Sequence, residues 1–419
     1  MLRLYIDPGT GSMLFTILIG VIGAGIYSLR MLFIKLRFRL SGGKVEESRK
    51  KIPFVIFSDD KRYWNVFEPI CREMDRRGTD IVYLTASEDD PALNVSMPHF
   101  RAEFIGAGNK AFSRLNFLKA NIVFSTTPGL DVYQWKRSKD VDYYIHIFHT
   151  AGEVTRYRMF GIDYYDSLMI AGDHQERDIR ELEQLRGLPA KEIVKVGIPY
   201  MDEMAARYAA AGPAGPHPRT VLLAPTWGPS AIFSIHGGKI IDTLLKTGYH
   251  IMIRPHPQSF SSEKEMLDKL MEEYPASEQL EWNRDTDNFE VLRRSDILIS
   301  DFSGVVFDFS LIYDKPVIYT DPNFNLAPYD AWFLDHPLWT LSALPRIGRE
   351  LNIENMENIK ELIDSCLEDT RYAQGRKEVR EETWAHFSEG AVRAADYILS
   401  KYEALTQNET EGEVENVPV

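Results

Sequence analysis

The chain has 419 residues, 44% of them hydrophobic and 26% charged, which suits packed cores and gives room for two domains and some extra. Lys+Arg 48 against Asp+Glu 62 leaves a formal net charge of −14, which argues against nonspecific binding along a nucleic-acid backbone. Two cysteines, Cys71 and Cys366, exclude a disulfide-rich scaffold and a cysteine-based zinc site.

Residues 8–29, PGTGSMLFTILIGVIGAGIYSL, carry no charge over 22 positions. A helix over residues 11–34 would reach about 36 Å, enough for a bilayer core. Gly20, Gly23 and Gly25 are compatible with such a helix and would mark a packing face. Arg30, Lys35, Arg37, Arg39 and Lys44 follow the run, and the positive-inside bias then puts the body on the cytoplasmic side. The expectation is a single-pass helix in the cell membrane, with the lipid bilayer as a partner. An interfacial helix along anionic headgroups and a buried core helix are the competing readings.

Further along, short apolar runs alternate with helical stretches. Strands are predicted at 53–57, 80–85, 121–126, 143–149, 167–172 and 192–197, with helices over Trp64–Arg77, Lys110–Lys119 and His174–Leu185. This is the alternation of a mostly parallel sheet covered by helices. AAAGPAGPHPRT (209–220) then reads as an exposed linker. Beyond it, strands are predicted at 220–226, 250–255, 277–282, 296–301 and 316–320. Helices fit Gly238–Thr247, Ser262–Glu273, Asn288–Arg294, Val305–Ile312 and Ile359–Leu367, and one or two closing helices fit 372–403. The expected layout is an anchor and basic flank (1–44), two α/β domains (45–215 and 216–375), a closing helix (376–402) and an acidic disordered tail (403–419). A cleft between two such domains is the default ligand site.

Four segments carry candidate chemistry, each running on from a predicted strand. In IHIFHTAGEVTRYRMFGIDYYD (145–166), His149 stands at a strand end, where a histidine can serve as a general base near neutral pH. His146 falls on the opposite face of the strand and reads as a core residue. Arg156 and Arg158 fit either a negative substrate or solvated surface. In LLAPTWG (222–228), Thr226 fits donation to a phosphate oxygen, and Trp227 fits a pocket wall or ordinary packing equally well.

In IRPHPQS (253–259) a strand delivers Arg254 and His256 to the carboxyl edge of the sheet, where ligands of α/β sheets lie. Arg254 suits a phosphate as a planar cation with several donors. In SDILISDFSGVVFDFSLIYDKPVIYT (295–320) a strand ends at Asp301, and Ser303 and Gly304 lead into a helix. Open N–H groups in that first turn favour a phosphate; plain capping by Asp301 or Ser303 fits equally. No His-Glu-x-x-His spacing occurs, and a Mg²⁺ shared by Asp301 and Asp308 is the weaker reading, so neither a metal nor a cofactor is expected.

The order HTAG (149–152), VGIPYMD (196–202), APTW (224–227), RPHP (254–257), SDFSGVVFDF (300–309) and DKPVIY (314–319) resembles the CDP-glycerol glycerophosphotransferases. These build or prime teichoic-acid-like poly(glycerol phosphate) at bacterial membranes. The resemblance covers about residues 120–320. With the N-terminal segment, it implies an α/β, GT-B-like pair of Rossmann-like domains with an N-terminal transmembrane helix. The donor nucleotide would sit against the second domain and the acceptor on the side of the first.

The resemblance further implies His149 as general base, His256 on the donor diphosphate, and Ser300, Asp301 and Ser303 on the donor phosphates. The implied reaction is transfer of glycerol phosphate, or a related alditol phosphate, from a CDP-alditol donor. The acceptor would be a hydroxyl of a lipid-linked or polyol-phosphate molecule, and CMP would leave. The chain departs from the family pattern in three places. The family often reads His-Gly-Thr-Pro for His149-Thr150-Ala151-Gly152. It often has an arginine at the position of Gly228, and another at the position of Tyr200. Rival readings are a nucleotide-sugar glycosyltransferase, a UDP-sugar epimerase, and a tethered nucleotide-binding protein without catalysis.

Overall fold

Thirteen short strands, most of them rich in β-branched and aromatic residues, form two separate parallel sheets in the computed structural model, which describes residues 51–285, 287–320 and 326–414. The first sheet takes β1 (Ile52–Ser58), β2 (Ile81–Thr85), β3 (Phe100–Phe104), β4 (Ala120–Ser125), β5 (Val141–Ile147), β6 (Ser167–Ile170) and β7 (Glu192–Lys195). Their order across the sheet is β3-β2-β1-β4-β5-β6-β7. The second takes β8 (Thr220–Leu223), β9 (His250–Ile253), β10 (Leu280–Trp282), β11 (Ile297–Ser300), β12 (Val317–Thr320) and β13 (Gly348–Leu351), in the order β10-β9-β8-β11-β12-β13.

Every recorded pairing within the two sheets is parallel, and both sheets reverse direction after their first strand, as in a doubly wound Rossmann fold. The central strands β4, β8, β11 and β12 are buried along their whole length, which is why they read as continuous apolar runs.

Helices fill the connections. In the first lobe these are α1 (Trp64–Arg76), α2 (Asn109–Leu115), α3 (Asp173–Arg186) and α4 (Pro199–Ala211). In the second they are α5 (Ile232–His236), α6 (Lys239–Leu245), α7 (Ser259–Ser262), α8 (Lys264–Glu273), α9 (Phe289–Arg294), α10 (Val305–Phe307), α11 (Trp339–Ile347), α12 (Ile359–Glu368) and α13 (Arg371–Thr383). A final helix, α14, spans Gly390–Val414. The spacing of Phe67, Ile70, Cys71 and Met74 puts one apolar face of α1 on the first sheet. Cys71 and Cys366 are buried free thiols.

The two lobes are bound together. Ala151, Ile198 and Met201 of the first share one buried cluster with Phe307, Trp339, Val379 and Trp384 of the second part of the chain. Helix α14 then returns to the first lobe, where Ala394, Ala395, Tyr397 and Ile398 pack with Phe54, Phe67 and Ile122. Asp202 in α4 anchors that return: it accepts hydrogen bonds from Trp384 Nε1 (2.8 Å), Ser388 N (2.8 Å) and Gly390 N (2.9 Å).

Two expectations are corrected. The pair of Rossmann-like sheets is present, but a fold class with a transmembrane helix is not supported, and the membrane localisation drawn from it falls with it. Among the described residues no helix is long and apolar enough to cross a membrane. The longest, α14, carries Arg393, Asp396, Lys401 and Glu403 along its length. The apolar run at 11–34 on which that expectation rested lies outside the described residues. Residues 403–414, expected in a disordered tail, continue α14. Strands β3 and β13 and helices α4, α5, α7 and α11 were not predicted. Both strands are sheet edges with a half-exposed, polar sequence, FRAEF and GREL, so the apolar signal is weak there.

Candidate active site

In an open parallel sheet, ligands bind outside the carboxyl ends of the strands, where the chain departs to opposite sides of the sheet. In the second lobe that place lies beyond β8 and β11, with β9 beside them. The predicted strands overran these ends by one to three residues. Thr226, Arg254, His256, Asp301 and Ser303 therefore all lie in the loops that leave the edge.

The Ser300–Asp301 pair turns inward. Ser300 Oγ donates to the Ala224 carbonyl at 2.6 Å, and both side chains are buried. The Asp301 carboxylate accepts from the Thr226 N–H at 2.9 and 3.1 Å and from the Ile232 N–H at 3.2 Å. Burial pushes Asp301 up to about 6, and these backbone N–H groups pull it back. Ser300 and Asp301, expected on the donor phosphates, form a strut that holds the APTW loop against the DFSG turn. Ser303 and Gly304 are half-buried at the seam. No side chain caps α10, so the expected cap by Ser303 or Asp301 is not formed. Asp308, weighed above as a magnesium ligand with Asp301, instead accepts from Tyr200 Oη of the first lobe at 2.5 Å.

Arg254 is half-buried and donates through Nη1 to Asn283 Oδ1. Burial lowers its affinity for a proton, while Asp285 and Asp287 act the other way. His256 Nδ1 accepts the Gln258 N–H at 3.1 Å, which leaves the ring proton of the neutral form on Nε2 as a donor. Burial and the charge of Arg62 push His256 down to about 4, so it is neutral at pH 7. The Trp227 ring, 46% exposed, lies 6.5 Å from the His256 ring. Gly228, where the family often has an arginine, adopts φ +95° and donates to Glu263 Oε1 at 2.8 Å. A residue with a side chain is strained in that conformation.

In the first lobe His149 stands two residues beyond β5. Its Nδ1 is 3.0 Å from Thr126 Oγ1 and 3.3 Å from Tyr157 Oη, and the Tyr63 ring packs on it at 4.7 Å. Burial, Arg62 and Arg156 push it down to about 4. With Nδ1–H donating to Thr126, Nε2 presents a lone pair, as a general base requires. His146 is fully buried against Phe148, Tyr157 and Tyr165 and takes no part in the site.

The two sets of loops meet. Arg156 Nη1 donates to the Phe302 carbonyl of the DFSG turn at 2.6 Å, and its Nε pairs with Glu153 at 3.0 Å. Glu153 also accepts the Thr340 N–H at 3.0 Å. A Cβ on Gly304 would come within 3.8 Å of Thr150, the residue after His149. Arg156 thus fastens one lobe to the other where a substrate contact was expected. Arg158 is exposed and bridges Tyr329 through its backbone; the structure does not bring it to the histidines. The prediction missed Arg62 and Tyr63, in the turn Lys61–Tyr63 just past β1. The signal was available, since SDDKRY follows the first strand of the sheet at the same edge as the other loops.

Two Rossmann-like lobes with neutral histidines on either side of their seam define a GT-B-fold enzyme that transfers a group from a nucleotide donor. The chain belongs to the CDP-glycerol:poly(glycerophosphate) glycerophosphotransferase family, whose model matches residues 161–400. That match begins beyond His149. No curated protein matches the sequence.

Several solved structures share the architecture. The UDP-N-acetylglucosamine 2-epimerase from Rickettsia bellii superposes with a TM-score of 0.54 at 11% identity, over 85% of this chain and 98% of its own. S. aureus MnaA with UDP gives 0.53 at 13% identity, over 84% and 97%. Os79 from O. sativa with UDP gives 0.51 at 10% identity, over 83% and 100%. At these identities the likeness is one of fold.

Proposed function

We propose that this enzyme transfers glycerol phosphate, or a related alditol phosphate, from a CDP-activated donor to a hydroxyl of a polyol-phosphate or lipid-linked acceptor. The donor lies against the second lobe. Its diphosphate faces His256 Nε2–H, Arg254 and the open first turn after Ser303 and Gly304, with Thr226 alongside. His149 Nε2 takes the proton of the acceptor hydroxyl, and the hydroxyl oxygen bonds to the β-phosphorus. The bond from that phosphorus to the bridging oxygen breaks, its electron pair stays on that oxygen, and CMP leaves. Positioned donors lower the barrier mainly through alignment and through the charge they meet on the phosphate oxygens.

The observation that carries this reading is the meeting of the HTAG loop with the DFSG turn: Thr150 lies against Gly304, and Arg156 holds the Phe302 carbonyl. One experiment separates it from sugar transfer and epimerisation. The full chain is incubated with CDP-glycerol, CDP-ribitol or UDP-sugars and a polyol-phosphate acceptor, and the nucleotide product is identified. CMP is expected, from a CDP-alditol only. A nucleoside diphosphate released from a UDP-sugar would replace this reading with glycosyl transfer.

A further inference from the structure

We propose that Arg62 is the first lobe's binding residue for the phosphoryl group in transit, reaching it from the side of the seam opposite His256. Arg62 sits in the turn Lys61–Tyr63, immediately past the carboxyl end of β1, where the first sheet reverses direction next to β4. It is preorganised. Asp60 accepts from its backbone N–H at 2.9 Å, from Nε at 2.9 Å and from Nη2 at 3.1 Å. That fork uses one edge of the guanidinium, and Nη1 takes no hydrogen bond among the described residues. Its neighbour Tyr63 packs directly on the His149 ring. The Arg62 guanidinium lies 5.9 Å from the centre of that same Tyr63 ring.

The same charge acts on His256 in the second lobe. A cation at this edge of the first lobe, whose charge acts on both histidines, stands where the transferred group must pass if the proposed function holds. A planar guanidinium with a free edge suits the non-bridging oxygens of a phosphate. The second lobe alone then binds the CMP part of the donor. Arg62 is engaged only by the phosphate that leaves CMP behind.

CDP carries that phosphate and CMP does not, so the inference rests on the proposed donor but is read without turnover. Binding of CDP and CMP to the full chain is measured for wild type, Arg62→Gln and Arg62→Lys, with thermal midpoints as the check on folding. Losing a charge-assisted contact should weaken CDP about 10- to 100-fold in Arg62→Gln while CMP stays within about twofold of wild type. Arg62→Lys should recover part of the loss. In turnover, Arg62→Gln should lower kcat and raise the donor KM.

Equal effects on CDP and CMP, no effect on either, or a change confined to the acceptor KM would each overturn the assignment. A wild type that prefers CDP to CMP through Arg62, yet releases no CMP from CDP-glycerol, would leave the assignment standing and remove the proposed reaction instead.

Discussion

In the proposed reaction His149 and His256 carry the chemistry at the scale of single residues. Each is half-buried and loop-borne, so replacement by alanine should leave the fold intact. His149→Ala should lower transfer by about 100- to 10,000-fold, the range for removing a general base. His256→Ala should remove a phosphate donor and raise the donor KM as well as lower kcat. Near-wild-type rates for both purified variants would end the assignment.

The pH profile is a separate check. The base must be neutral, so activity falls as pH drops through its pKa. In the free enzyme that value is held at about 4 by burial, Arg62 and Arg156, so kcat/KM should fall only near there. A bound diphosphate opposes those two charges and raises the imidazole pKa, so the acid limb of kcat should lie at higher pH. An acid limb of kcat/KM near 6.5 would contradict the geometry.

His146 affects stability instead. It is fully buried, with no partner for either ring nitrogen among the described residues, and burial together with the charge of His149 holds its pKa well below 6.5. The unfolded chain therefore takes up a proton that the folded one refuses. The stabilising contribution is complete above about pH 6.5 and drains away as pH falls toward the folded value. His146→Phe should flatten the dependence of the urea midpoint on pH between 7 and 5; an unchanged slope would show that other groups govern it. Strand periodicity set this residue apart from His149, but His149 lies beyond the end of β5, so the loop and not the strand places it. Arg62 was overlooked although SDDKRY follows the first strand at the same edge as the other loops, because a lysine–arginine pair in a turn also reads as solvated surface.

Single elements show which parts of a motif touch ligand and which hold the loops. Asp301 is a strut: its carboxylate ties the start of α5 and the APTW loop to the end of β11. Asp301→Ala leaves two backbone N–H groups without it and should lower the unfolding free energy by about 1–3 kcal/mol, measured by urea titration. An activity loss with unchanged stability would instead place Asp301 on the substrate.

Gly197 in VGIPYMD is held at φ +82°, and a Cβ there would lie 2.1 Å from the Ala385 carbonyl. Gly197→Ala should cost about 1–3 kcal/mol from backbone strain alone. It should also loosen the chain between α13 and α14, seen as faster amide exchange at 384–390; unchanged exchange there would count against this role for the close approach. The order of motifs was legible in the sequence. Which side chain of each motif faces the seam was not, because burial depends on the neighbouring strand, and that pairing joins residues some 75 apart, as between Thr226 and Asp301.

For the whole molecule, the alternation of strands and helices sufficed to give two α/β lobes, and the order of motifs sufficed to give the family. Two of the four edge strands, β3 and β13, escaped because they are too polar to stand out, and the return of α14 to the first lobe escaped because no local pattern encodes a contact across the chain. The membrane helix was read from hydropathy alone, and no described helix supplies it.

The central claim is that the two lobes present a base and a phosphate site to one reaction, and the identity of the nucleotide released tests it most directly. With CDP-glycerol and a polyol-phosphate acceptor, wild type should release CMP in step with acceptor extension, and His149→Ala should release almost none. Release of CDP, or CMP release that survives loss of His149, would contradict it.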